Sequence, residues 1–206
     1  MNKRDEFKIR LDCITKIFLI SRDNFYYSEY LYSPKTKIEE NYINIDRDLK
    51  FIRHSIRRVA IIELTKIVKK SNNNKFNIFK LLDTLKSQGY FKSLGFDEIQ
   101  IGIFESDLSN YSTLIDAVIG LRDNIYAHTD GNEIDFAINF DELNGLYDVL
   151  ENVICRLSID LLDENRDLRR YNFIEGRFNI LEVLAINHYN KTNEFLVSNN
   201  LPPKKS

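Results

Sequence analysis

One short segment of the chain gathers charged and polar side chains that could bind a substrate and transfer a proton. Residues 121–130 read Leu-Arg-Asp-Asn-Ile-Tyr-Ala-His-Thr-Asp and contain Arg122, Asp123, Asn124 and His128. Arg is permanently charged and binds phosphate oxygens through two donors, and the unperturbed pKa of His lies near neutrality, which suits proton transfer. The segment is therefore a candidate for binding a substrate and moving a proton. The alternative is structural: Arg122 pairs with a neighbour, and His128 caps the C-terminus of a helix, favoured by its dipole.

Helical geometry limits how these side chains can meet. Asn124 and His128 form an i, i+4 pair on one helix face, and Arg122 forms another with Tyr126. Arg122 and His128 differ by about 120° around the axis and lie roughly 9 Å apart along it. To reach one substrate, Arg122 must extend its long stem, or His128 must swing away as the helix ends.

Two other sets of side chains are weaker candidates. His54 and His188 have no convergent polar neighbours in sequence, so a structural or solvated role is favoured for both. One face of a long predicted helix carries five cations near three- and four-residue steps: Arg47, Lys50, Arg53, Arg57 and Arg58. They could follow a phosphate backbone, although a solvated helix face is the favoured interpretation.

The sequence contains no recognisable motif for binding a metal ion or a cofactor. It contains no Gly-rich phosphate loop, no His-Glu-x-x-His and no Cys-His cluster, so we expect neither a metal nor a cofactor. Cys13 and Cys155 lie far apart within apolar helical patterns, which predicts buried thiols in a reducing cytoplasm.

Composition predicts an all-α protein. The chain has 206 residues, of which 43% are hydrophobic and 29% charged, which excludes a disordered protein. Three prolines and seven glycines leave little turn material for a β-sandwich or barrel. The net charge of -2 excludes a uniformly basic protein that coats nucleic acid non-specifically. No apolar run approaches the roughly 18 residues of a membrane span, and we expect a cytoplasmic protein.

The apolar periodicity predicts seven helices in one up-and-down bundle with antiparallel neighbours. We expect a single domain over 1–200, with a flexible tail over 201–206 and a loop over 33–41. The buried stripe of the second helix is predicted to comprise Leu49, Ile52, Ile56, Val59, Ile62 and Ile67. The helices are predicted at residues 5–32, 46–70, 77–88, 96–105, 109–128, 141–164 and 173–198.

The segment from Arg122 to His128 resembles the Arg-x(4–6)-His motif of HEPN domains, the nucleotide-binding helical bundles of higher eukaryotes and prokaryotes. The string LRDNIYAHTD is similar to the abortive-infection U-type subgroup, as is the earlier stretch from Arg57 to Lys66, which a loop and Phe79-Lys80-Leu81-Leu82 follow in the expected order. The resemblance covers about 45–160 and implies a HEPN-like bundle with extra N- and C-terminal helices.

The resemblance implies metal-independent RNA cleavage in the cleft of a homodimer, in which two motif helices face each other. His128 would be the general base on the ribose 2′-OH or the acid on the leaving 5′-oxygen, and Arg122 would stabilise the pentacoordinate phosphate. Asp123 would orient Arg122 or His128, and Asn124 would hydrogen-bond His128 or the phosphate. The products would carry a 2′,3′-cyclic phosphate and a 5′-hydroxyl.

The resemblance further implies a role in phage defence or as a toxin, with tRNA as a possible target and an antitoxin or defence protein as a possible partner. Some HEPN toxins are controlled by modification of a Tyr two residues after the motif His, and Asp130 occupies that position here. Two alternatives stay open. One is a non-catalytic HEPN module that binds RNA or nucleotide or scaffolds a complex, and the other is a helical interaction protein with a coincidental motif.

Overall fold

Helices make up the secondary structure of the part of the chain that the computed structural model describes. That part comprises residues 1–71, 75–127, 138–166, 168 and 180–203, without the side chains of 124–127. It contains no strand, and the prediction of an all-α, bundle-type fold is confirmed. Its helices are α1 (Lys3–Tyr32), α2 (Lys37–Ile45), α3 (Arg47–Val68), α4 (Ile78–Leu85), α5 (Glu98–Ser109), α6 (Ser112–Ala127), α7 (Phe140–Leu162) and α8 (Ile180–Ser198), with a 3-10 turn at Lys92–Leu94.

The chain divides into two compact units whose boundaries fall inside α1 and α3. The first unit comprises Met1–Asp23 and Arg58–Tyr171, and the second comprises Asn24–Arg57 and Asn172–Ser206. Arg122 and Asp123 on α6 therefore belong to the first unit, whereas Arg53 and Arg57 belong to the second.

The core of the first unit is built on apolar faces with helical spacing. The buried face of α1 packs aromatic rings against other elements: Phe7 lies 5.4 Å from Phe91 and Phe18 lies 6.0 Å from Tyr147, between ring centroids. The Tyr147 hydroxyl lies 2.6 Å from Ser21 Oγ, which donates to the Ala60 carbonyl at 2.8 Å. This chain of hydrogen bonds joins α1, α3 and α7, so the hydroxyl of the buried Tyr147 is satisfied.

The second unit contains a short helix, α2, in a segment that was predicted to be a loop. Residues 33–41 were predicted as a loop, but α2 begins at Lys37. The Thr36 hydroxyl accepts from the Glu39 N–H at 3.2 Å, and the buried Glu39 carboxylate accepts in return from the Thr36 N–H at 2.9 Å. This capping box satisfies two orphan donors and starts the helix, and the apolar face of α2 then packs on α8.

The buried stripe of α3 differs from the predicted one. Leu49 and Ile67 are buried as expected, but Ile52 and Val59 are 46% and 38% exposed, respectively. The positions buried instead include Arg57, Ala60, Ile61 and Leu64. An arginine can occupy an apolar face because its methylene stem packs like a hydrophobic side chain, which apolar periodicity cannot detect.

The remaining predicted helices lie close to their observed positions, and each described boundary falls within four residues of the prediction. Residues 173–179, where the last helix was predicted to begin, lie outside the described residues. None of the helices described is both long enough and apolar enough to cross a bilayer.

Candidate active site

Arg122 lies near the C-terminal end of α6, on the face that packs into the first unit. It follows the buried Val118 by four residues and the buried Ile115 by seven, so all three share one side of the helix. The Arg122 side chain is 34% exposed. Its long stem therefore continues the packed face of the helix, while its guanidinium stays within reach of solvent.

Asp123 holds the guanidinium of Arg122. Nη1 of Arg122 donates to Oδ1 of Asp123 at 2.7 Å, and the ammonium of Lys69 donates to the other oxygen, Oδ2, at 3.3 Å. The hydrogen bond from Arg122, followed by that from Lys69, lowers the pKa of the Asp123 carboxyl below its ordinary value. Asp123 is therefore a carboxylate at neutral pH, and it bridges two cations.

Lys69 is held by its backbone as well as by its side chain. It directly follows α3, where its N–H donates to the Thr65 carbonyl at 2.9 Å. Its own carbonyl accepts from the side-chain amide of Asn77, a buried residue whose Oδ1 caps α4 by accepting from the Lys80 N–H at 3.1 Å. The end of α3 and the start of α4 thus place the ammonium that meets Asp123 on α6.

The structure describes only part of the predicted catalytic set. Arg122 and Asp123 are in direct contact, and Asn124 is a residue of α6. The side chain of Asn124 and the whole of His128 lie outside the described residues, so the i, i+4 relation between them stays a prediction. The contact between Arg122 and Asp123 is also the neighbour ion pair that the structural alternative expects.

Arg53, Arg57 and Arg58, the candidates for RNA contact among the five cations of the basic face, do not share one environment. Arg53 and Arg57 lie over the ring of Tyr32, with guanidinium carbons 4.6 and 5.3 Å from its centroid. Arg57 is buried and Arg58, in the first unit, is exposed. The two arginines of the second unit therefore cover an aromatic ring, rather than forming a continuous exposed track with Arg58.

The same ring orders a histidine. The Tyr32 hydroxyl lies 2.9 Å from Nδ1 of His54, and the two rings pack edge to face at 5.9 Å. The ring of His188 packs against Tyr42 at 5.3 Å. Both histidines thus contact tyrosines within the second unit, and His188 is exposed, which fits the structural or solvated role favoured from sequence.

The described part of the chain holds no group of three or more His, Cys, Asp or Glu side chains that could bind a metal ion. Cys13 and Cys155 are free thiols and only half-buried, although both were expected to be buried. Burial raises the pKa of the Cys155 thiol, and its Sγ donates to the Arg166 carbonyl at 3.2 Å. A protonated thiol in that setting is a poor nucleophile.

Sequence reasoning missed Lys69 as a member of the site. The residue was visible only as one cation of a basic helix end, and 54 positions separate it from its carboxylate partner. No local spacing rule connects residues that far apart, because the contact depends on how α3 and α6 pack.

Comparison with known proteins gives no match for this chain, whether among protein-family models, curated proteins or solved structures.

Proposed function

We propose that this protein is a metal-independent endoribonuclease of the HEPN type, acting in phage defence or as a toxin. The observation that carries the proposal is the held guanidinium at the end of α6. Arg122 is partly exposed, its orientation is set by a carboxylate 2.7 Å away, and that carboxylate is itself held by Lys69. A fixed, permanently charged donor suits the stabilisation of a phosphorane, and the sequence carries a histidine, His128, six residues after it.

The proposed reaction needs one proton taken and one proton given. His128 removes the proton of the ribose 2′-OH, the oxygen attacks the adjacent phosphorus, and the bond from phosphorus to the 5′-oxygen breaks. The leaving oxygen is protonated to a 5′-hydroxyl, by the same imidazolium or by His128 of a second copy. Arg122 neutralises the charge that develops on the phosphate, and Asp123 is a positioning residue that keeps Arg122 in place.

The decisive experiment is an RNA cleavage assay in EDTA with total tRNA and a mixed RNA pool. We expect the wild type to cleave and to leave 2′,3′-cyclic phosphate ends. Loss of acid–base catalysis in His128→Ala should slow cleavage about 10²–10⁴-fold, and Arg122→Ala should slow it about 10²–10³-fold.

Each catalytic variant has a matched control outside the proposed site. His188→Ala removes an exposed histidine that packs on Tyr42, and Arg156→Ala removes an exposed arginine that pairs with Asp160 on α7. Both controls should cleave like the wild type. Equal activity of the wild type and His128→Ala, or cleavage that EDTA abolishes, would refute the proposal.

We also propose that the active unit is a homodimer in which Arg122 of one chain serves His128 of the other. On an ideal helix continued as far as His128, the two residues would project about 120° apart, and the arrangement between two chains removes this difficulty. Mixing Arg122→Ala chains with His128→Ala chains then creates dimers in which one site keeps both groups. We expect activity to recover on mixing, and no recovery in dimers verified to be mixed would contradict the arrangement.

The contact between Arg122 and Asp123 favours one further candidate, a non-catalytic HEPN module that binds RNA. A carboxylate this close already satisfies part of the guanidinium, as in a structural ion pair. This candidate predicts that the wild type retains RNA in a filter-binding assay, that it cleaves no more than His128→Ala does, and that both proteins bind equally.

A further inference from the structure

A groove of about 670 Å³ lies on the first unit, and Lys69 is the member of its lining that also belongs to the candidate site. The end of α3, the start of α4, the second half of α5 and the first part of α6 form its walls. Its volume lies within the range of about 300–1,000 Å³ that is typical of small-ligand sites.

The walls of the groove combine an apolar base with cations and an aromatic ring. Val68, Leu108 and Ile115 are buried residues of the lining. Lys69 and Lys70 follow each other along one wall, and the ammonium of Lys70 lies 4.5 Å from the ring centroid of the half-buried Phe79. A ligand that fits here has a flat apolar face and a negative charge close to it.

The two carboxylates of the lining do not cancel this preference for an anion near the lysines. Glu105 accepts from the ammonium of Lys86 at 2.6 Å, so its charge is compensated from outside the lining. Asp116 lies on α6, an exposed carboxylate that can only accept hydrogen bonds when ionised. A ligand with amino donors on its planar part is suited to this second wall.

The groove is linked to the proposed catalytic arginine through Lys69 and Asp123. Asp123 follows the lining residues Asp116 and Ile119 by seven and four positions, so the three share one face of α6. Lys69 lines the groove and contacts Asp123, which in turn holds Arg122. A polymer whose phosphate reached Arg122 would have its neighbouring residue at the mouth of this groove.

We infer that the groove binds one nucleotide of single-stranded RNA next to the scissile phosphate, an inference that rests on the proposed function. The base lies against Phe79, since every base has a face that stacks on an aromatic ring. The ammonium of Lys70 moves from the ring to the phosphate of that nucleotide, where Lys69 already lies. Asp116 accepts from the exocyclic amine of adenine, guanine or cytosine, which uracil lacks.

The test measures binding separately from cleavage. The probe is a fluorescein-labelled oligonucleotide with 2′-O-methyl riboses, which cannot undergo attack by a 2′-hydroxyl, and the readout is fluorescence anisotropy. Phe79→Leu keeps an apolar side chain but loses the flat ring, and it should weaken binding about 5- to 150-fold. Phe76→Leu, at a partly exposed ring just before α4, is its control and should bind like the wild type.

A second variant keeps the test informative if Phe79→Leu folds poorly. Lys70→Gln removes one exposed cation, so the slope of log K against log salt should become less steep by about 0.7 for a single strand. Lys92→Gln removes an exposed cation of the 3-10 turn outside the lining and should leave the slope unchanged. An oligonucleotide of uridine alone should bind more weakly than one of cytidine, and Asp116→Asn should reduce the difference.

The outcomes separate this inference from the nuclease proposal. Weaker binding of Phe79→Leu together with a shallower salt slope of Lys70→Gln supports the groove. Unchanged binding by both variants overturns it, even where the wild type cleaves RNA through His128. A wild-type protein that binds RNA through the groove without cleaving it supports the inference about the groove and refutes the nuclease proposal. Wild type that neither binds nor cleaves overturns both.

Discussion

Removal of the carboxylate of Glu151 should destabilise the first unit strongly. Its partner, Arg22, is fully buried on α1 and donates from Nη1 to Glu151 on α7 and from Nη2 to the Leu168 carbonyl at 2.7 Å. The guanidinium also lies over the ring of Phe18, 4.8 Å from its centroid. Glu151→Ala leaves these last two contacts in place but removes a carboxylate partner of a buried cation.

The expected loss follows from the burial of Arg22. Breaking a buried ion pair by deleting one partner costs about 3–5 kcal/mol, because the other charge stays out of water without compensation. An exposed pair would cost about 1 kcal/mol or less. For a chain of 206 residues, this loss corresponds to a decrease in Tm of about 6–20 °C.

The assay is urea unfolding followed by circular dichroism for four proteins. These are the wild type, Glu151→Ala, Arg22→Met and a double variant with Arg22→Met and Glu151→Leu. The double variant replaces the pair with apolar side chains of similar length and should lie near the wild type or above it in stability. Its recovery relative to Glu151→Ala separates the cost of an uncompensated charge from the loss of packing.

Two results would refute this reasoning. The first is a Glu151→Ala protein within about 1 kcal/mol of the wild type, which would show that the pair behaves like an exposed one. The second is a double variant as unstable as Glu151→Ala, which would mean that shape rather than charge governs this position.

Three further predictions concern local structure. Thr36→Ala removes the acceptor that caps α2, should cost about 0.5–2 kcal/mol, and should speed amide hydrogen exchange in α2 if the cap starts this helix. Gly89→Ala brings a Cβ to 2.3 Å from the Thr84 carbonyl oxygen and should destabilise the protein by about 1–3 kcal/mol. Gly102→Ala, where a Cβ meets nothing within 4 Å, should stabilise the protein by about 0.5–1 kcal/mol. Denaturant unfolding measures both changes and their opposite signs. The carboxyl of Asp123, whose pKa is lowered by its neighbouring cations, should titrate below the ordinary value of about 3.9 in a carbon-detected NMR titration. The contribution of this carboxylate to stability is therefore present above the ordinary pKa and is lost as the pH falls through the lower pKa of the folded state.

The candidate site divides between local and tertiary information. Arg122 and Asp123 are adjacent in the chain, and a helix through them was predictable from Leu114, Ile115 and Val118. Helical rules, however, do not reveal that the carboxylate also meets an ammonium 54 residues away. That contact depends on the buried side-chain amide of Asn77, which fixes the backbone of Lys69 where α3 ends.

The surface of α3 shows the same division in another form. The basic residues of this helix could be identified from the sequence, but the sequence alone did not show which of its arginines are buried and which are exposed. Arg57 is buried because Tyr32, on a different helix, supplies a ring for its guanidinium, whereas Arg58, the next residue, points to solvent. The capping box of α2 is a different case, since Thr36 and Glu39 have its spacing and could have been recognised.

The sequence by itself determined the all-α class, the approximate position of each described helix except α2, and the placement of Arg122 and Asp123 on one helix. These depend on composition and on apolar spacing of three and four residues, which act over one or two turns. The tertiary structure decided that Asp123 bridges Arg122 and Lys69, that Arg57 is buried, and that Lys70 and Phe79 share a groove. Such contacts depend on how distant helices pack, which no local period encodes.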